Sequence, residues 1–337
     1  MFQISLIRLV LAAWSVLGAI FAHAAEPALP PALDAQVQRI LQAGTATGAV
    51  VVLVDGLGVS GARGYGTLNP ATCTQTDATS NAFVALAAMR LAEGGKLDLY
   101  AALPKVVRLS AGVSPPGRCK SKVTLANLLE HTSGMASSSQ QLEACPGTRT
   151  SYSSAALAVA TETLEKTSQM NMANLMRREV FKPLAMHSSA WGKTSAVCFG
   201  ASSANANDVT TTPLDMANLV QMFVRRGQIE AKTYLPQCAV ERMGLSISAV
   251  SMPGGNTPQA IAEARYGLGL ERFKAGGQQW LGYSGDQTGA QWVWGYSTQT
   301  QSAMVIKVDT PDAATLAALR AAVASHLHRD AALLTLR

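Results

Sequence analysis

The sequence predicts an α+β fold in which an antiparallel sheet is flanked by N- and C-terminal helices and an all-helical lobe is inserted between its strands. Three observations predict it: a hairpin pattern near the start, helical periodicity through the middle, and short strand-like runs before a terminal helix. Strands at both ends of a chain can complete one sheet. We therefore expect an α/β part at about residues 32–95 and 260–337, and a helical lobe at about residues 96–259.

Composition indicates a compact globular protein. The chain has 337 residues, of which 48% are hydrophobic and 14% charged, so it can bury a large core. The net charge of +6 is scattered, and its two basic clusters, at residues 118–122 and 177–178, are not interleaved with aromatic residues. The sequence therefore does not predict a nucleic-acid partner.

Residues 1–24 have the pattern of a secretory signal peptide. Arg8 precedes an apolar run at residues 9–21, and residues 22–24 read Ala-His-Ala, a typical cleavage signal. The alternative is a membrane anchor, but the run is shorter than the roughly 20 residues that a span requires. We expect a mature chain of residues 25–337 that is periplasmic or secreted, with no stable membrane span.

The cysteines predict disulfides rather than a metal site. In an oxidising compartment, five cysteines allow one or two disulfides and leave at least one thiol unpaired within the monomer. The sequence leaves their pairing open. No C-x-x-C spacing, P-loop, H-E-x-x-H or G-x-G-x-x-G motif is present, so we predict no metal and no cofactor. The cysteines are Cys73, Cys119, Cys145, Cys198 and Cys238.

The first elements follow from local patterning. Residues 32–43 carry apolar side chains at helical spacing. Residues 50–54 and 59–68 flank an Asp-Gly turn and predict a β-hairpin. Residues 78–99 are rich in Ala and Leu, with almost no polar face before a Gly pair, which is typical of a helix that runs through a core.

The C-terminal part predicts antiparallel strands and a closing helix. Short apolar runs separated by Gly, Gln and Thr lie at residues 266–273, 280–284, 289–296 and 302–308. Residues 313–336 return to helical periodicity.

Five segments resemble motifs of the penicillin-recognising serine hydrolases, a family that includes class C β-lactamases, DD-peptidases and related esterases. The closest in pattern is residues 123–135, which match Thr-x-x-x-Leu-Leu-x-His-Thr-Ser-Gly. The resemblance covers nearly the whole mature chain and implies a β-lactamase/transpeptidase-like fold with a cleft beside the central helix. The other segments are residues 78–99, 146–154, 180–186 and 212–217.

The first catalytic motif of that family is replaced. The family's central helix carries Ser-x-x-Lys, and the matches at Ala82-Phe83 and residues 95–99 place those two residues at Ala78 and Asn81. A methyl group cannot attack a carbonyl, and a carboxamide is not a useful base. The resemblance therefore implies the fold without the nucleophile.

The second motif, Tyr-x-Asn in the family, corresponds here to Tyr152, Ser153 and Ser154. The phenol is kept and the carboxamide is lost. Without an ammonium group at position 81, we expect the pKa of Tyr152 to lie near its ordinary value of about 10. Tyr152 would then be too weak an acid to act as a phenolate base at neutral pH.

The third motif, a Lys or His followed by Ser or Thr and then Gly, corresponds to Tyr283, Ser284 and Gly285. The cationic group is lost. The backbone N–H groups of Ala78 and Asp286 match the family's oxyanion donors, so an oxyanion pocket is expected to persist, weakened by the Asp286 carboxylate.

Neighbouring hydroxyls do not replace the missing nucleophile. Ser80 is rotated by about 200° from position 78 around the helix and has Phe83 three residues later instead of Lys. Ser133 lies beside His131, but adjacency in sequence does not form a triad, and in the family this segment is structural.

The sequence leaves three functional hypotheses. The first is a non-catalytic protein that binds a peptide, a cell-wall fragment or a protein partner in its cleft. The second is a hydrolase or transferase rewired through Tyr152, Tyr283 or Asp286, and the third is an assembly or scaffold protein that uses its outer surface and keeps only a vestigial cleft. The residues predicted to form the binding site are Ala78, Asn81, Tyr152, Ser154, Tyr283, Ser284, Gly285 and Asp286.

Overall fold

The computed structural model describes most of the chain after the predicted signal peptide. It covers residues 26–76, 79–104, 119, 122–192, 208–245, 265–286, 291–309 and 312–334. The predicted signal peptide and Ala78 lie outside these residues. Within them, no helix combines the length and apolarity needed to cross a membrane.

The described residues form helices and strands as follows. The helices are α1 (Pro31–Ala43), α2 (Ser80–Glu93), α3 (Leu125–Leu129), α4 (Ser154–Ser168), α5 (Met172–Met176, continued by a π-helical turn at Arg177–Phe181), α6 (Pro213–Val224), α7 (Gln237–Met243) and α8 (Ala313–Leu334). The strands are β1 (Gly48–Val54), β2 (Val59–Gly66), β3 (Thr74–Gln75), β4 (Ala190–Trp191), β5 (Val209–Thr211), β6 (Gln228–Ile229), β7 (Lys232–Thr233), β8 (Glu271–Ala275), β9 (Gln278–Tyr283), β10 (Trp292–Ser297) and β11 (Ser302–Val308).

The main sheet joins the two ends of the chain, as predicted. Its six strands run in the order β2-β1-β11-β10-β9-β8, and β1 pairs antiparallel with β11 from Ala49 opposite Val308 to Val54 opposite Ala303. Every residue of β1 is buried, because α1 and α8 pack together on the sheet while α6 contacts β1 and β11. The α+β class is therefore confirmed.

Helix α2 is the buried central helix that the composition predicts. Eleven of its fourteen residues are buried, and it packs against α3, α4 and α5. It ends at the Gly pair as predicted: the chain leaves the helix at Gly94, and Gly95 takes a positive φ of 67°.

The middle of the chain is mainly helical but also contributes strands. A three-stranded sheet has the order β3-β5-β4, and β6 pairs with β7. The stretch at residues 96–259 is therefore not all-helical, and its helix α6 contacts the main sheet as well. Short polar strands such as Thr74–Gln75 carry too little periodicity to be predicted from sequence.

The first C-terminal strand begins later than predicted. Residue Tyr266 lies before β8 and forms an isolated bridge to Glu271, because the chain turns tightly between them. Gly269 has a φ of 80°, and a Cβ added there would lie 2.2 Å from the Cβ of Ala85 in α2. This loop therefore crosses α2 at a distance that only glycine permits, and it carries Tyr266 toward the N-terminal end of α2.

Disulfides form as the cysteine count predicts. Cys119 is bonded to Cys145, and Cys73 is also in a disulfide. Cys238 is a free, exposed thiol. Cys198 lies outside the described residues.

A buried ion pair between Glu130, in the turn after α3, and Arg242 joins that turn to α7. Glu130 is fully buried, and the side chain of its partner Arg242 is only 14% exposed. Replacing Arg242 with Met leaves a buried carboxylate without its cation, so we expect the free energy of unfolding to fall by about 3 kcal/mol in urea titrations.

The matched control for that variant is the pair formed by Arg149 and Glu143, whose side chains are 46% and 50% exposed. Water already solvates both groups, so Arg149→Met is expected to cost less than about 1 kcal/mol. Equal costs for the two variants would contradict a stabilising role for the buried pair.

Candidate functional site

A small cavity lies where the first turn of α2 meets β9. Its volume is about 20 Å³, which is room for roughly one water molecule. Aromatic rings and the backbone of the loop before β8 narrow it. The described residues that line it are Thr79, Asn81, Ala82, His131, Tyr152, Tyr266, Gly269, Leu270, Glu271, Gly282, Tyr283 and Trp294.

Three of the predicted site residues come together in this cavity. Asn81, Tyr152 and Tyr283 all line it, although they are distant in sequence. Ala78 lies outside the described residues, so its predicted place beside them remains a prediction.

Asn81 is held as a buried polar group at the helix start. Its amide Nδ2 donates to the carbonyl of Leu129 at 3.2 Å and lies 3.4 Å from His131 Nε2. Its Oδ1 is buried and has no hydrogen-bond partner within the described part of the chain. Position 81 therefore supplies a neutral donor already in use and an acceptor that is free.

His131 is a neutral imidazole packed between two phenols. Its ring centroid lies 4.9 Å from that of Tyr152 and 5.0 Å from that of Tyr266. Burial lowers its pKa to about 4, so the ring is uncharged at neutral pH. Nδ1 is buried with no partner among the residues that the structure describes.

Tyr152 is a weaker acid than the sequence predicts. Burial, together with the nearby carboxylate of Asp208, raises its pKa above the ordinary value, so the expectation of a value near 10 was wrong. The contribution of Asp208 could not be predicted, because its place in the fold is not evident from its position in the sequence. Tyr152 is neutral at physiological pH.

Ser154 does not belong to the cavity. It is the first residue of α4, its side chain is exposed, and its hydroxyl donates to the carbonyl of Ser137 at 3.0 Å. Ser153 caps the helix by accepting from the N–H of Ala156, which turns the chain at this point. Ser154 therefore does not line this cavity, and its place in a binding site stays a prediction.

The third motif is folded tightly at the end of β9. Ser284 is buried, and its N–H donates to Glu271 Oε2 at 2.9 Å. Gly285 has a φ of 72°, and an added Cβ would lie 2.7 Å from the carbonyl oxygen of Trp292. Neither residue is among those that line the cavity, in contrast to Tyr283.

The predicted oxyanion donor at Asp286 is already occupied. Its N–H donates to Ser284 Oγ at 3.2 Å, so the serine competes for the bond that an oxyanion would need. The carboxylate of Asp286 forms an ion pair with Arg320 at 2.5 Å, which offsets the negative charge expected to weaken this site. Of the two expected oxyanion donors, only the Asp286 N–H belongs to the described residues, and that N–H is therefore not free.

The predicted binding site omits four residues of the cavity that carry a hydroxyl, an imidazole or a carboxylate: Thr79, His131, Tyr266 and Glu271. Thr79 is 2% exposed, and its Oγ1 has no partner among the described residues. Glu271 is 5% exposed, and its carboxylate accepts bonds from Arg265 and from the N–H of Ser284. Tyr266 reaches the cavity through the Gly269 turn. Thr79 lies at an open position of the first family motif, whereas Tyr266 and Glu271 lie in no motif; the glycine-rich run at residues 267–269 was a signal for a close backbone approach.

The described lining lacks the groups that acyl transfer by a serine hydrolase requires. It contains no serine and no lysine. The nearby Ser80 is 1% exposed, and its hydroxyl donates to Asp208 at 2.5 Å, so it is unavailable to a substrate. Ser133 is likewise 1% exposed, and its hydroxyl accepts from the N–H of Met135.

Comparison with known proteins establishes the family. A family model described as beta-lactamase matches residues 33–326, and the chain therefore belongs to the beta-lactamase family. No curated protein matches the sequence significantly.

Solved structures share the fold at low sequence identity. The octameric penicillin-binding protein homologue from Pyrococcus abyssi is 19% identical, with a TM-score of 0.68 over 90% of this chain and 77% of that chain. A beta-lactamase from Mycobacterium bovis is 20% identical, with a TM-score of 0.64 over 88% of this chain and 99% of that chain. The beta-lactamase/D-alanine carboxypeptidase from Yersinia pestis, complexed with citrate, is 18% identical, with the same TM-score and coverage as the Mycobacterium protein.

The buried imidazole makes stability depend on pH. The pKa of His131 lies near 4 in the folded chain and about 6.5 when unfolded, so protonation favours the unfolded state as pH falls between these values. We expect the wild type to lose about 3 kcal/mol of unfolding free energy from this group between pH 7 and pH 4.

The reference for this loss is His131→Asn, since asparagine tolerates the positive φ of 54° at this position and does not titrate. Urea titrations of both proteins at several pH values give the difference, from which the other titrating groups largely cancel. A constant difference between pH 7 and pH 4 would contradict a buried, neutral imidazole.

Proposed function

We propose that this member of the beta-lactamase family is an exported, non-catalytic protein that uses the degenerate cleft for binding. In this proposal the signal peptide at residues 1–24 is removed and the mature chain works in the periplasm or outside the cell. The family match over residues 33–326 supports the correspondence of motifs on which the proposal rests.

The observation that carries the proposal is the replacement of both reactive groups of the first motif. Ala78 stands where the resemblance places the nucleophilic serine, and Asn81 stands where it places the lysine. In the structure, Asn81 is hydrogen-bonded as a buried amide, and the rest of the described lining offers no serine or lysine in exchange. Loss of the nucleophile in a triad-type hydrolase costs about a millionfold in turnover.

Among a peptide, a cell-wall fragment and a protein partner, the cavity favours a ligand that carries a peptide group. Asn81 Oδ1 is a free acceptor, Thr79 Oγ1 is a free hydroxyl, and His131 Nδ1 is a free donor when Nε2 accepts the Asn81 amide. A peptide group supplies both an N–H and a C=O to such a set, and it carries no charge that the neutral imidazole would have to balance. Because the cavity holds about one water molecule, the end of the ligand must either fit that volume or displace one of the tyrosine side chains that line the cavity.

The rewired hydrolase fits less well with the described geometry. Of its three candidate groups, Tyr152 has a raised pKa, Asp286 is paired with Arg320, and Tyr283 is 6% exposed. A nucleophile needs an adjacent base and a free surface. Tyr283 lacks the free surface, the Asp286 carboxylate is held by Arg320, and the raised pKa of Tyr152 opposes formation of its phenolate.

The size of the cavity favours a second candidate function. A volume of about 20 Å³ admits no peptide unless side chains move, which is the expectation for a vestigial cleft in a scaffold that binds partners through its outer surface. The two candidates differ in whether a cleft ligand stabilises the fold.

A thermal-shift titration separates them. An N-acylated peptide ending in D-Ala-D-Ala, used at about 100 times its dissociation constant, should raise the melting temperature of the mature protein by several degrees. Asn81→Leu removes the free acceptor and should reduce that shift at least by half. Asn218→Leu, on the exposed side of α6 where the amide bonds the carbonyl of Ala185, is the matched control and should keep the full shift.

The outcomes of the titration are distinct. No shift with this peptide or with larger cell-wall peptides would contradict cleft binding and leave the scaffold function. A shift of equal size in Asn81→Leu and the wild type would mean that the peptide binds outside the cavity, which also contradicts the proposal.

A further inference from the structure

A second and larger cavity lies between α6, α7 and the far ends of β9 and β10. Its volume is about 340 Å³, within the range of small-molecule sites. It shares no described lining residue with the cavity at the start of α2. The described residues that line it are Phe223, Arg226, Gln237, Val240, Glu241, Gly244, Leu245, Arg272, Leu281, Tyr296 and Thr298.

One wall of this second cavity is apolar and rigid. The rings of Phe223 and Tyr296 are stacked with centroids 5.0 Å apart and planes inclined by 5°. Val240 is buried beside them, and Leu281 is only partly buried. An alkyl or aryl group placed here would be removed from water against fixed surfaces, so little side-chain entropy is lost on binding.

The positively charged part of the cavity lining is formed by two arginines, Arg226 and Arg272. Arg272 donates to the carbonyl of Gly244 at 2.8 Å and to Gln279 Oε1 at 3.2 Å, so its guanidinium is held in place. Arg226 is exposed, and no hydrogen bond or ion pair between described residues uses its side chain. The Glu241 carboxylate accepts from Gln237 at 2.6 Å and offsets one of the two positive charges. The described lining therefore carries a net charge of +1, from two arginines and one glutamate.

We propose that this second cavity binds a small apolar monocarboxylate, with its alkyl or aryl body against Phe223, Tyr296 and Leu281 and its carboxylate at Arg226. A guanidinium binds a carboxylate through two parallel N–H donors, and a monoanion balances the single excess charge. A neutral amphiphile of the same shape would bury the same surface but form no charge-assisted bond with Arg226. The site is independent of the proposed function of the cleft.

Isothermal titration of the mature protein with octanoate and with octan-1-ol tests the assignment. Octanoate should bind saturably, with one molecule per chain and about tenfold more tightly than octan-1-ol. The reason is that a charge-assisted bond between the Arg226 guanidinium and a carboxylate is worth more than a bond between that guanidinium and a hydroxyl. Arg226→Gln should weaken octanoate about tenfold and leave octan-1-ol unchanged. Arg177→Gln, which removes an exposed arginine that does not line the cavity, is the charge-matched control and should change neither.

A second variant tests the apolar wall without touching the charges. Leu281→Trp places a larger ring in the cavity from a partly buried position and should abolish binding of both probes, while Asn81→Leu in the other cavity should have no effect. Equal affinities for octanoate and octan-1-ol, the same loss in Arg226→Gln and Arg177→Gln, no saturable heat from either probe, or unchanged binding in Leu281→Trp would each overturn the assignment.

Discussion

The burial of the first turns of α2 constrains the rest of the site. Almost every side chain of this helix is enclosed, and the loop before β8 comes so close that only a glycine fits opposite Ala85. Polar groups at the start of the helix are therefore removed from water and depend on partners inside the protein. Ser80 bonds Asp208 and Asn81 Nδ2 bonds the carbonyl of Leu129, whereas Asn81 Oδ1 and Thr79 Oγ1 have no partner among the described residues.

The same constraint explains why the site is neutral. A lysine at position 81 would place an ammonium group in this enclosed space, where it would need an anion to balance the cost of leaving water. The one carboxylate in the described lining, Glu271, is already bonded to Arg265 and to the N–H of Ser284. Asparagine and a neutral His131 avoid that cost, and the phenols of Tyr152 and Tyr266 fill the space around them.

Much of the fold could be predicted because its signals are local. The hairpin of β1 and β2, the buried helix α2 and the closing helix α8 follow from periodicity and turn residues, and the family motifs placed Asn81, Tyr152 and Tyr283 in one cavity. Ser154 lies outside this cavity because it is the first residue of α4 and its hydroxyl bonds the carbonyl of Ser137. Tyr266, Glu271 and Arg320 could not be predicted, because their contacts to the site arise from long-range packing and leave no pattern in the sequence.

The central claim is that the cleft has no group able to attack a carbonyl. Intact-protein mass spectrometry of the folded mature chain, after incubation with a fluorescent penicillin and with a fluorophosphonate, measures this most directly. An active serine hydrolase of this family, treated in parallel, should gain the mass of each probe. We predict that this protein keeps its unmodified mass with both probes, whereas a stoichiometric adduct mapped to any residue of the cleft would contradict the account.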